Sequence, residues 1–119
     1  MTEHKPHYAT TEAAAQTYRL SYGESVLLET DQVVVLREHY DGRDLEPVIC
    51  FAEPAIASLE TTETDLVTHC PIKGDACYRN YGDTKNALWC YRTPLPEVAQ
   101  IRDHHAFDQR QGFRVCPAS

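Results

Sequence analysis

No part of this chain sustains a helical repeat for long; instead, short β-type runs follow one another, each stopped by a Gly, Pro or Asx turn. Tyr18, Leu20 and Tyr22 alternate with polar neighbours, and Gly23-Glu24-Ser25 turns the chain into Val26–Thr30. Asp31-Gln32 separates that run from the β-branched stretch Val33–Glu38, and the two-residue gap predicts a hairpin. Asp41-Gly42 is a stronger turn and precedes Glu46–Phe51. Further strands are expected at Leu66–Cys70, Asp75–Tyr81, Ala87–Tyr91, His104–Phe107 and Phe113–Cys116. Only Glu53–Glu60 and Glu97–Ile101 read as short helices, each opened near a proline. This spacing predicts a mainly β, antiparallel two-sheet fold with one or two short helices.

The chain has 119 residues, enough for one domain with its own core. Residues 1–15 show little periodicity and are expected to form a loosely ordered arm, with residues 16–119 as the single domain. A formal charge of −7 argues against nucleic acid, whose binding needs clustered Lys and Arg. No apolar run approaches the ~18–20 residues of a membrane span, and Met1–Lys5 lacks the apolar segment of a signal peptide, so no membrane partner and a cytoplasmic location are expected. An odd count of five cysteines then reads as free thiols rather than a disulfide framework. No C-x-x-C occurs, and His104-His105 point to opposite faces of a strand, so neither a metal nor a cofactor is expected.

Thr68-His69-Cys70-Pro71-Ile72-Lys73-Gly74-Asp75-Ala76-Cys77-Tyr78 is the most distinctive stretch. It resembles the T-x-C-P-Y-K-G-x-A-x-Y signature of a family of small bacterial proteins known as domain of unknown function 427. Asn86-Ala87-Leu88-Trp89-Cys90-Tyr91 and Pro94-Leu95-Pro96-Glu97-Val98 are similar to that family's N-x-x-W-x-Y and P-x-P-E-x, in the same order. The resemblance covers about Tyr18 to Val115. Ile72 stands in place of the usual Tyr, and Asp108 in place of an aromatic residue. The resemblance implies an Mss4-like β-tent, in which two sheets meet as in the methionine sulfoxide reductase B proteins. It implies little about activity.

The residues themselves point to a small-molecule site. Pro71 and Gly74 fix a rigid turn from which Lys73 projects, suited to a phosphate or carboxylate group. Trp89 and Tyr91 share one strand face, with Ala87 leaving space beside them and Tyr78 on the preceding strand. These rings form either an aromatic wall or a core cluster. His69 is the candidate general acid or base, provided it lines the same opening. The leading expectation is therefore a small anionic organic ligand held between the sheets by His69, Lys73, Tyr78, Trp89 and Tyr91. Whether a reaction follows, and whether the chain forms a homodimer, stays open. A second class is a thiol-dependent redox enzyme using Cys70 or Cys116; Gly112–Cys116 is similar to the G-x-R-Y-C around the reductase nucleophile, without that family's zinc cysteines. Nucleotidyl transfer has less support, since no phosphate-cradling Gly loop is present.

Overall fold

The computed structural model describes residues 7–118. Eleven strands form two antiparallel sheets. They are β1 (Tyr8–Ala13), β2 (Tyr18–Tyr22), β3 (Ser25–Thr30), β4 (Val33–Tyr40), β5 (Arg43–Asp44), β6 (Val48–Ala52), β7 (Thr61–Cys70), β8 (Gly74–Tyr81), β9 (Thr84–Tyr91), β10 (His104–Phe107) and β11 (Phe113–Pro117). The large sheet runs β1-β4-β6-β10-β9-β8-β7, with the two-residue β5 paired to β4. The small sheet runs β11-β2-β3. This is the mainly β, two-sheet architecture that the turn spacing predicts.

Three local expectations change. Residues 1–6 of the expected arm lie outside the described residues; within the rest, Tyr8–Ala13 is a strand laddered on β4, with registers from Tyr8↔His39 to Ala13↔Val34. Its inward residues Ala9 and Thr11 are small, so the hydrophobic alternation is too weak to show in sequence; the ladder orders the segment. Asp31-Gln32 makes no hairpin, because β3 belongs to the small sheet and β4 to the large one. Asp41-Gly42 does close one: both residues have positive φ (52° and 79°), which suits the tight two-residue turn between β4 and β5. The helices expected at Glu53–Glu60 and Glu97–Ile101 are 3₁₀ turns, at Glu53–Ile56 and Pro96–Ile101. The second breaks at Val98, whose φ of −125° is not helical.

Side chains alternate across the large sheet, and each of its faces has its own core. The small sheet packs on the inner face, where Leu20, Val33, Phe51, Leu88, Phe107 and Phe113 form one cluster. Phe51, Leu20 and Leu88 are completely buried there. On the outer face Val34, Leu36, Cys50, Tyr91 and Ala106 lie with Val98 and Ile101 in a second cluster. Pro96–Ile101 covers the β1–β4 end of that face, and a cleft opens over β7–β9.

Candidate functional site

The signature turn is built around Gly74. Its φ is +109°, and a Cβ there would sit 3.1 Å from the Thr93 carbonyl oxygen and 3.5 Å from Pro94 Cα. The Leu95 amide donates to the Lys73 carbonyl at 3.0 Å. The two proline-containing motifs therefore meet in space, and only glycine permits their approach. Lys73 is not a solvated turn residue. Its side chain is 13% exposed, and its Nζ donates to Glu38 Oε1 on β4. His7 Nε2 reaches the other Glu38 oxygen at 2.8 Å. Burial works to raise the Glu38 pKa, but the hydrogen bonds from Lys73 and His7 outweigh it and hold the carboxyl below its ordinary value. Lys73 Nζ also lies 5.9 Å above the centre of the Tyr91 ring. Burial pushes the Tyr91 phenol up, so it stays neutral.

Cross-strand register assigns the remaining residues to faces. Tyr78 opposes Trp89, and Ala76 opposes Tyr91, so these side chains share the outer face. Tyr78 and Trp89 have ring centres 6.2 Å apart at 41°, and the Tyr78 hydroxyl lies 2.9 Å from Thr68 Oγ1. Lys73, Tyr78, Trp89 and Tyr91 line one cleft of about 560 Å³, together with Lys85 and Arg110. Sequence reasoning missed those last two cations, which the start of β9 and the 109–111 turn bring to the rim. Asp108 caps the latter turn; Arg110 Nε and Nη2 donate to its two carboxylate oxygens at 2.9 and 3.2 Å. That bonding, led by the Arg110 side chain, holds the Asp108 pKa below its usual value. Gln111 Nε2 donates to the Lys85 and Asn86 carbonyl oxygens, tying the 109–111 turn to the start of β9.

Three expectations fail here. The cleft is not between the sheets, because that space is filled by Phe51, Leu88, Phe107 and their neighbours; it lies on the opposite face. His69 does not join it. It is one residue out of phase with Thr68, so it points to the inner-face side, where its imidazole is 71% exposed and Nδ1 lies 2.7 Å from Asp75 Oδ1. Ala87 is also displaced from the aromatic wall into the inner core. The cause is an irregularity between Arg79↔Leu88 and Tyr81↔Thr84, where β9 carries two residues more than β8. Asn86 bulges there with φ +48°, its amide held by Asn80 Oδ1 at 2.9 Å.

The inner face holds a second polar group, built on His105 and Glu53. His105 is 1% exposed, and its Nε2 lies 2.9 Å from Glu53 Oε1, which also accepts from Arg92 Nη1 at 2.7 Å. Arg92 bonds Asp103 as well, at 2.9 Å. Burial lowers the His105 pKa despite the opposing pull of Glu53, so the ring is neutral and donates from Nε2. Its Nδ1 is buried without a partner among the described residues. All five cysteines are free thiols. Cys70 lies at the end of β7 and Cys116 on β11, in different sheets.

Among the described residues no helix is long and apolar enough to cross a membrane, and no group of three or more His, Cys, Asp or Glu side chains could hold a metal ion. No curated protein sequence matches the chain. A family profile does match, over residues 10–116, and takes in every strand but the first two residues of β1 and the last of β11. The chain therefore belongs to the family described as a domain of unknown function, DUF427.

Proposed function

We propose that the outer-face cleft binds a small organic anion that carries a flat ring. The observation behind this reading is the convergence of three rings, Tyr78, Trp89 and Tyr91, with cations at the rim of one cleft. A ring system stacks on such a wall, and the charged groups at the edge fix its orientation. Lys73 was the obvious anion anchor from sequence, but Glu38 already balances its charge. Lys85 and Arg110 are better placed for that role. Among the described residues Lys85 has no carboxylate partner, and Arg110 meets Asp108 through one edge of its guanidinium while the side chain stays 89% exposed. Lys73 then closes the deep end of the cleft above Tyr91. The reading assigns binding and no reaction, since His69, the one candidate base, lies outside the cleft.

Trp89 is the only tryptophan of the chain, so its fluorescence reports on this wall without labelling. The probes are AMP and benzoate, each compared with its neutral counterpart, adenosine or benzamide. The expected result is saturable quenching by at least one anion, with its neutral counterpart weaker by about tenfold or more, as for loss of a charge-assisted hydrogen bond. Lys85→Ala combined with Arg110→Ala should abolish that preference. Absence of quenching by either anion, or equal quenching by anion and neutral counterpart, overturns the proposal.

A further inference from the structure

On the inner face of the β8–β9 ladder two thiols stand directly opposite each other. Cys77 and Cys90 are register partners, and their Sγ atoms lie 3.5 Å apart. Opposed residues on antiparallel strands have Cα atoms about 4.5–5.5 Å apart. That falls inside the roughly 4.4–6.8 Å that a disulfide spans, so a bond requires side-chain rotation and little backbone movement. The other thiols lack this geometry. Cys50 is buried on the outer face, Cys70 sits at the far end of β7, and Cys116 is in the small sheet; none has a sulfur partner among the described residues.

The two sulfurs also differ in access. Cys90 is 2% exposed, whereas Cys77 is half-buried and its other cross-strand neighbour, Val67 on the edge strand, is 60% exposed. A reagent therefore reaches Cys77 from the β7 side. Burial, with the neighbouring Cys77 adding to it, pushes the Cys90 thiol up to about 12, which leaves it a poor first nucleophile.

We propose that Cys77 and Cys90 form a redox modification site, oxidised to a cross-strand disulfide by small-molecule disulfides of the glutathione type. Cys77, as the thiolate, attacks one sulfur of the small disulfide. That S–S bond breaks, and the departing thiolate takes up a proton. Cys90 then loses its proton, its sulfur attacks the Cys77 sulfur of the mixed disulfide, and the second small thiol is released. The protein pair gives up two electrons and two protons, and one small disulfide becomes two thiols. Excess thiol reverses each step.

The test treats the folded protein with glutathione disulfide, alkylates it with iodoacetamide and maps the tryptic peptides. Two of the five cysteines should be lost to alkylation, and peptides 74–79 and 86–92 should appear as one cross-linked species that dithiothreitol separates. Cys90→Ala should trap a stable glutathione adduct on Cys77, while Cys77→Ser should leave Cys90 reduced. Cys116→Ser should cross-link as the parent does. The proposal is overturned if the parent retains a glutathione adduct on Cys77 without cross-linking. It is equally overturned if the oxidised thiols are Cys70 or Cys116, or if the pair reacts only after unfolding in urea.

Discussion

The outer and inner faces of the large sheet are one residue apart along every strand, yet they handle polar groups in opposite ways. On the outer face, Glu38 and Lys73 are both charged and both about 15% exposed or less, and each is satisfied by the other. The aromatic wall beside them stays open. On the inner face the two fully buried titratable groups are held neutral, since burial lowers His105 and raises Cys90, while the Arg92–Glu53 pair that meets His105 stays partly exposed at the edge. A face closed by a second sheet excludes water and so disfavours charge. A face covered by a short 3₁₀ turn over one end leaves the other end open to a ligand. The candidate binding cleft and the candidate redox pair thus fall on different faces for the same physical reason.

Large-to-small substitutions give the largest separation between the faces. Phe51 is wholly buried between the sheets. Phe51→Ala should cost about 3–5 kcal/mol, from lost transfer energy and a cavity that the sheets cannot close. Trp89 is only half-buried, so Trp89→Ala should cost less, about 1–3 kcal/mol, because part of its surface is in water in both states. Urea unfolding of both variants checks this. Equal losses would make Trp89 a core residue of a closed face, and the comparison would fail.

How much of this was legible in the sequence depends on what fixes each feature. Runs such as Val33–Glu38 and His104–Phe107 carry their own β-branched or apolar signal, and their positions hold. The partition into sheets does not follow from such runs. Nothing local to Asp31-Gln32 says that β3 and β4 part company, since β3 pairs with β2 and β4 with β1 and β6. The shared face of Trp89 and Tyr91 follows from the period of two. The thiol pair could not be found that way. Extending the register from the tight Tyr81↔Thr84 pair would place Leu88 opposite Cys77; only the two additional residues at the Asn86 bulge bring Cys90 there. That the Lys73 charge is already balanced was not legible, because its partner Glu38 is thirty-five positions away in sequence.

The ion pair on the outer face offers the second, smaller test. Lys73→Met leaves the mostly buried Glu38 carboxylate with His7 alone, and at neutral pH it should cost about 1–3 kcal/mol. Adding Glu38→Gln should recover part of that loss, which a double-mutant cycle would measure as a favourable coupling. The pH dependence has a definite sign. The folded-state pKa of Glu38 is lowered from 4.5, so the stability it contributes is fully present above that value and is lost as pH falls through the folded pKa. The gap between parent and Lys73→Met should therefore be widest near neutral pH and narrow in acid, as protonation discharges the stranded carboxylate. A gap that grows on acidification would show that the pair does not stabilise the folded state.

The smallest expected effect belongs to His69, and it separates the faces most directly. Its imidazole is 71% exposed, and its partner Asp75 is 65% exposed. Surface pairs of this kind contribute about 0–1 kcal/mol, because water already screens both charges and ordering the side chains offsets the attraction. His69→Ala should thus shift stability by no more than about 0.5 kcal/mol. It should also leave the quenching of Trp89 by AMP or benzoate unchanged, since the imidazole projects to the side of the sheet away from Tyr78 and Trp89. A clear loss of ligand affinity in His69→Ala would mean that β7 can shift its register against β8, and the bulge between Glu63 and Val67 is where such a slip would start. One residue of slip would move His69 to the outer face. Unaltered binding, with Lys85→Ala and Arg110→Ala weakening it, keeps the two faces distinct.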